Sequence, residues 1–249
     1  MLIADALGVK GIWARSDPET VVQSWRSVIE SVEAAIKQSE GEFAIASKSP
    51  EFDIGAGGMF LQAFSDTLIV AAWSNNRDFN IYMMTSVARR AFTTALKHGI
   101  YFRGVVSVGS FAGSQEDRLI IGPAVDEAAE WYGKPDWIGI SAAPSLLFAL
   151  EQPPPLERDP KFSMMSNFLW TKWDVPLSDG KQMKTWVLDW PRTREAARLG
   201  EKPDVLDLNR VLGIFGERPI GVAAFSKYEN TLNFLRNRRA EMDRKTEAE

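Results

Sequence analysis

Met59-Phe60-Leu61-Gln62-Ala63-Phe64-Ser65-Asp66-Thr67-Leu68-Ile69-Val70-Ala71-Ala72-Trp73 is the stretch on which the reading of this chain turns. Two apolar runs flank a short polar interruption, Ser65-Asp66-Thr67, and glycines 55, 57 and 58 precede them. Runs of this length joined by a tight polar turn predict a β-hairpin with Asp66 at its tip.

Upstream of the hairpin, Leu2-Ile3-Ala4 reads as a short strand that Asp5 ends. Ser16-Asp17-Pro18-Glu19 is a helix start, with a cap residue followed by proline and acid in the first turn. Val21, Val22, Trp25, Val28, Ile29, Val32, Ala35 and Ile36 then recur at helical spacing, and the helix is expected to end near Gly41. Downstream, Ile81, Met84, Val87, Ala88, Ala91 and Leu96 predict a helix over 78–98, stopped by Gly99. Strands are expected at 101–108, 119–121, 137–140 and 183–188, with helices at 124–132 and 141–150. Residues 151–161, EQPPPLERDPK, read as a connector, and 226–249 as a charged helical tail with a solvated end. The order predicts an α+β, ferredoxin-like βαββαβ fold with extra C-terminal elements. One catalytic-type domain is expected over 1–190, and a C-terminal extension over 191–249 belonging to the same compact unit.

Composition narrows the chemistry. The chain has 249 residues, a formal charge of −4 and an ordinary apolar fraction of 45%, so it can bury a full core. With no cysteine, thiol catalysis and Cys-based zinc sites are excluded. With a single histidine, His98, sites needing two His ligands are excluded as well. His98 beside Gly99 reads as a helix-end residue. An acidic pI of about 5.3 argues against a broad duplex-DNA surface. No run approaches the roughly 20 apolar residues of a membrane helix. The first residues, MLIADALG, carry no basic region of the kind that opens a signal peptide. The expectation is a cytoplasmic protein with no nucleic-acid or membrane partner.

Two carboxylates stand out. In a split βαββ sheet the first strand lies beside the hairpin, so Asp5 and Asp66 can reach one edge. Paired carboxylates there suit Mg²⁺ or Mn²⁺, which take oxygen ligands and bridge to substrate phosphates. The alternative is that both are ordinary turn residues. Gly8 would let backbone N–H groups approach a phosphate. Lys10 is a phosphate contact or a solvated lysine. Arg103 is a nucleotide contact or a strand-edge salt bridge.

In order along the chain, five segments resemble motifs of the class III nucleotide cyclases, the adenylate and guanylate cyclase family. Asp5-Ala6-Leu7-Gly8 resembles Asp-Ile-x-Gly, and Phe64-Ser65-Asp66-Thr67-Leu68-Ile69-Val70-Ala71 resembles the Gly-Asp hairpin. Arg103-Gly104-Val105-Val106-Ser107-Val108-Gly109 resembles Arg-x-Gly-Ile-x-x-Gly, with its glycine displaced by one. Ile121-Gly122-Pro123-Ala124-Val125-Asp126-Glu127-Ala128-Ala129 resembles Gly-x-x-Val-Asn-x-Ala-Ala-Arg. Gly180-Lys181-Gln182-Met183-Lys184-Thr185-Trp186 is similar to Gly-Lys-Gly-x-Met-x-Thr-Tyr. The resemblance spans about residues 2 to 190. It implies two divalent ions, Mn²⁺ or Mg²⁺, held by Asp5, the Ala6 carbonyl and Asp66, with Asp5 and Asp66 as catalytic residues. It implies nucleotide contacts from Gly8, Val9, Lys10, Gln62, Phe64, Arg103 and Lys181, and a homodimer, because the family's sites form between two domains.

The chain also departs from the family. The transition-state asparagine falls on Asp126 and the transition-state arginine on Glu130, which would repel a charged phosphate. The purine-reading positions fall near Gln62 and Leu119, neither the usual pair. Among family branches, the bacterial pyrimidine cyclases of antiphage Pycsar systems resemble it most. That likeness implies conversion of UTP, less often CTP, to a 3′,5′-cyclic monophosphate and diphosphate. The product would serve antiviral defence as a second messenger read by a separate effector. A catalytically silent cyclase-like binding or dimerisation module is the alternative, with a palm-type nucleotidyl transferase third.

Overall fold

In the computed structural model, which describes residues 1–7, 17–46, 57–114, 119–152, 169–191, 208–217 and 220–247, the chain opens with β1 (Leu2–Leu7), α1 (Pro18–Ala46), the hairpin β2 (Gly58–Phe64) and β3 (Thr67–Trp73), and α2 (Arg77–Lys97). There follow β4 (Tyr101–Val106), β5 (Ala112–Ser114), β6 (Leu119–Ile121), α3 (Pro123–Trp131), β7 (Gly139–Ala142) and α4 (Pro144–Glu151). The described chain closes with β8 (Trp170–Pro176), β9 (Gln182–Leu188), α5 (Leu208–Gly216) and α6 (Val222–Glu247). Seven strands form one mixed sheet in the order β2-β3-β1-β4-β7-β9-β8, and β5 pairs with β6 separately. The class is therefore α+β, with β1 between β3 and β4.

Local chemistry explains the element ends. Phe64 pairs with Thr67, leaving Ser65 and Asp66 as a two-residue loop. Ser65 has φ 56° and is the one non-glycine residue with positive φ among those described, the pattern of a type II′ turn, which matches strand twist. At the start of α1, the Asp17 carboxylate accepts from the Thr20 N–H at 3.2 Å. Asn76 caps α2 by accepting from the Phe79 N–H at 3.0 Å, and Gly99 (φ 67°) ends it just past His98.

The sheet has two unlike faces. Leu2, Ala4 and Ala6 alternate with Leu68, Val70 and Ala72 toward Val28 and Val32 of α1 and Val87 and Ala91 of α2, in the main core. On the other face, Ile3, Phe60, Ala71 and Val105 form a smaller cluster under Ala128 of α3. Cross-strand partners share a face, so the register lines up Phe64, Thr67, Asp5 and Arg103 as one row on this second face. Gln62, Ile69, Ile3 and Val105 form the next row.

The structure revises several expectations. β1 continues through Leu7, so Asp5 lies inside the strand instead of ending it. Helix α1 passes through Gly41 to Ala46: one helical glycine costs about 1 kcal/mol, and the helix's buried face outweighs it. β4 stops at Val106. The strand expected over 137–140 is displaced to Gly139–Ala142, because Trp137 turns its ring over Gly139 and is fully buried there. Ser141 and Ala142 therefore belong to β7, and α4 starts with Pro144 in its first turn. β5, β8 and α5 were not expected, and 153–161 of the expected connector lie outside the described residues.

The C-terminal helix is not a solvated tail over its whole length. Phe234 of α6 is fully buried against Trp137 and Trp173, with ring centroids 5.2 and 5.4 Å away. The Thr231 hydroxyl accepts from the Ile138 N–H at 2.8 Å. Arg238, only 7% exposed, forms a two-armed ion pair with Asp189, which is fully buried just past β9. No helix among the described residues is long and apolar enough to cross a membrane.

Candidate functional site

Asp5 and Asp66 meet because of strand register. Asp5 is opposite Thr67, the first residue after the turn, and the Ala6 N–H donates to the Asp66 carbonyl at 2.8 Å. A strand residue directs its N–H and C=O to the same edge, so the Ala6 carbonyl also faces the Ser65–Asp66 turn. The carboxylates are close enough to feel one another. Burial raises the pKa of Asp5 above its ordinary value, the negative charge of Asp66 raises it further, and Arg103 offsets part of the rise.

Arg103 stands directly across β4 from Asp5. Its Nη2 is 3.5 Å from Asp5 Oδ2, and its Nη1 donates to the Gly133 carbonyl at 3.0 Å. Its Nε is buried with no hydrogen-bond partner in the described structure. Of the two readings of Arg103, the salt bridge is present.

Three more charged or polar groups extend from this arginine. The loop that offers the Gly133 carbonyl continues to Asp136, whose Oδ1 is 2.7 Å from Lys227 Nζ of α6. Burial pushes the Asp136 carboxyl up. Hydrogen bonds from Lys227 and Ser226, with the charges of Lys227 and Arg103, bring it to a net position below its ordinary value. Asn230 holds the same loop by donating to the Asp136 carbonyl at 2.7 Å. The carboxylates, the guanidinium, Asp136 and Lys227 therefore alternate in sign from the hairpin tip to the C-terminal helix. Sequence reasoning missed Asp136 and Lys227, and no local pattern marks them: both reach the site through the register of β1 on β4 and the docking of α6.

The other expected site residues divide. Phe64 lies in the same cross-strand row as Asp5, and Gln62 in the next row. Phe64 is 73% exposed. A cleft of about 390 Å³ lined by Phe60, Trp73, Phe111, Gly113 and Ile120 adjoins these rows on the same face. Lys181 is not brought to the pair. It precedes β9, three strands from β1 in the sheet order, about 14 Å at ordinary strand spacing, and its ammonium pairs with Asp179 at 3.2 Å. Asp126 and Glu130 are exposed on α3. Gly8, Val9 and Lys10 lie outside the described residues.

The donor set suits a hard divalent cation. Two carboxylates and a backbone carbonyl offer oxygen alone, and repulsion between Asp5 and Asp66 favours an added positive charge. Among the described residues, no group of three or more His, Asp or Glu side chains could hold a metal, so any ion here would complete its shell with water or substrate oxygens. No family model matches the chain, and no curated protein matches it.

Proposed function

We propose that this chain is a divalent-metal-dependent nucleotide cyclase of the class III type, converting UTP, less often CTP, to the 3′,5′-cyclic monophosphate and diphosphate. The observation that carries the reading is the juxtaposition of Asp5 and Asp66 at one end of the β1–β3 pair, with the Ala6 carbonyl on the same edge. The strand order β2-β3-β1-β4 supports it, as the arrangement of a ferredoxin-like βαββαβ core. In this reading Asp5, Asp66 and the Ala6 carbonyl hold Mn²⁺ or Mg²⁺. Bound there, the ions supply Lewis acidity to the ribose 3′-hydroxyl and neutralise charge on the leaving diphosphate. The bond formed joins the 3′-oxygen to the α-phosphorus, the bond broken releases diphosphate, and the hydroxyl proton passes to solvent.

Arg103 contributes its unpartnered Nε to a phosphate oxygen. Gln62 offers both a donor and an acceptor to a base held on the open face. Lys181, too far along the sheet to serve the carboxylates of its own chain, serves those of a second copy in a homodimer. Gly8, Val9 and Lys10 follow β1 directly and are assigned to the triphosphate. The reading extends, on the resemblance alone, to a cytoplasmic second messenger in antiphage defence, recognised by a separate effector.

A silent nucleotide-binding or dimerisation module is the second reading, favoured by exposed Asp126 and Glu130 where the family carries asparagine and arginine. The test is incubation of purified protein with all four NTPs and Mn²⁺, with products resolved by mass spectrometry. Cyclic UMP or cyclic CMP from the wild type, and none from a folded Asp66→Ala variant, is the expected result. Cyclic AMP or cyclic GMP would overturn the pyrimidine assignment. Nucleotide binding with no product from any NTP would establish the silent module.

A further inference from the structure

Arg103 contacts one carboxylate in this structure and lies within electrostatic reach of another. Its Nη2 faces Asp5, while Nη1 is tethered to the Gly133 carbonyl at 3.0 Å, three residues before Asp136 in the same loop. The tether is a backbone oxygen of the loop that leads to Asp136, so it lies between the two carboxylates along the chain. The Nε without a partner marks the present seating as incomplete. The charge of Arg103 also reaches Asp136, which Lys227 of α6 holds at 2.7 Å.

We propose that Arg103 is a displaceable internal counter-ion: it neutralises Asp5 while the site holds no metal, and entry of a divalent ion at Asp5 and Asp66 drives it, pivoting on the Gly133 carbonyl, toward Asp136. The inference rests on the metal site proposed above. Its physical basis is the repulsion between a guanidinium and a divalent cation competing for one carboxylate. A consequence is that the C-terminal helix senses the metal, since Arg103 arriving at Asp136 shares that carboxylate with Lys227. Metal occupancy and the docking of α6 are then linked, and linkage is reciprocal.

The test is Mn²⁺ binding alone, without nucleotide, by isothermal titration at low salt, on the wild type and on Arg103→Gln, Arg103→Lys and Asp136→Asn. Removing the competing charge in Arg103→Gln is expected to tighten Mn²⁺ about tenfold, while Arg103→Lys stays near wild type. Asp136→Asn removes the receiving carboxylate and is expected to weaken Mn²⁺ by about threefold to tenfold. In the double variant the Asp136 effect should disappear, because the group it receives is gone. A salt bridge that only braces β1 against β4 would lower the melting temperature of both Arg103 variants and leave Mn²⁺ affinity within twofold of wild type. That result overturns the counter-ion while leaving the metal site standing. Absence of Mn²⁺ binding by the wild type would overturn both.

Discussion

Gly104 is the tightest point of the sheet at the candidate site, and replacing it tests how closely β4 must approach β1. It pairs with Ala4, one residue before Asp5. A Cβ built there would lie 2.6 Å from the Ile3 carbonyl oxygen and 2.9 Å from both Cα and Cβ of Ala4. Ordinary contact needs about 3.4 Å, so β1 and β4 must separate by roughly 0.5–0.8 Å in a core that tolerates little overpacking. Overpacking of this kind costs about 1–3 kcal/mol, and the stiffer unfolded chain of an alanine returns about 0.4–1 kcal/mol. Gly104→Ala should therefore lose about 1–2 kcal/mol, a fall of roughly 2–8 °C in a chain of this size. Because the displaced strand carries Asp5 while Asp66 stays with β3, Mn²⁺ binding should weaken more than stability does. The assays are thermal melting and Mn²⁺ titration, with Gly213→Ala as control. Gly213 is in α5 with nothing within 4 Å of its would-be Cβ, so that change should be neutral or stabilising by up to about 1 kcal/mol. A Gly104→Ala protein as stable as wild type would refute the close-approach argument.

Other changes probe the rest of the site and its support. Arg238→Ala removes the two-armed cationic partner of the fully buried Asp189, and should cost about 3–5 kcal/mol by denaturant unfolding; a loss below about 1 kcal/mol would mean α6 is not pinned by this pair. Asp5→Asn should stabilise the metal-free protein. The folded-state pKa of Asp5 is raised, so folding favours its protonated form, and that contribution is lost as pH climbs past the ordinary carboxylate value. The melting-temperature gain of Asp5→Asn should thus be present at pH 7 in chelator and shrink as pH falls toward about 4; a gain unchanged with pH would show another cause. Ser65→Gly relieves a positive φ at a position that suits glycine and should stabilise by about 0.5 kcal/mol, read by denaturant melts; destabilisation would mean the Ser65 side chain makes a contact that matters.

Much of the framework was legible because its signals are local. The hairpin at 59–73 needed only two apolar runs around a polar turn, and the helix Arg77–Lys97 needed only periodicity and a following glycine. What failed was set by tertiary packing. Gly41 looks like a helix stop until α1 is seen buried against α2, where the Ser31 and Thr94 hydroxyls meet at 2.9 Å. Trp137 looks like strand, yet it folds back over Gly139 to face Phe234, a residue nearly a hundred positions on. Trp170–Pro176 alternates only loosely, and its strand forms because β9 offers a full antiparallel partner from Trp170↔Leu188 to Pro176↔Gln182. At the site, the meeting of Asp5 and Asp66 followed from strand topology, whereas the partners of Arg103 did not. The Gly133 carbonyl belongs to a turn after α3, and Lys227 to a helix outside every recognisable motif.

Three departures from local comfort fall together at one end of β1. Asp5 is partly buried beside a second carboxylate where a β-branched neutral residue would pack without penalty. Arg103 hides an Nε with nothing to bond. Ser65 holds a positive φ that glycine would adopt freely. A hairpin and strand selected for stability alone would use none of these, since each has a common replacement that removes its cost. Costs of this kind gathered within one turn and the two strands beside it suit a constrained site. Two of the three costs have a chemical remedy in common. A cation offsets the repulsion of Asp5 and Asp66, and an anionic oxygen offered to Nε satisfies Arg103. A divalent ion carrying a phosphate group would supply both at once, and that joint demand on the same few ångströms of β1, β3 and β4 is what the proposed metal–nucleotide reading rests on.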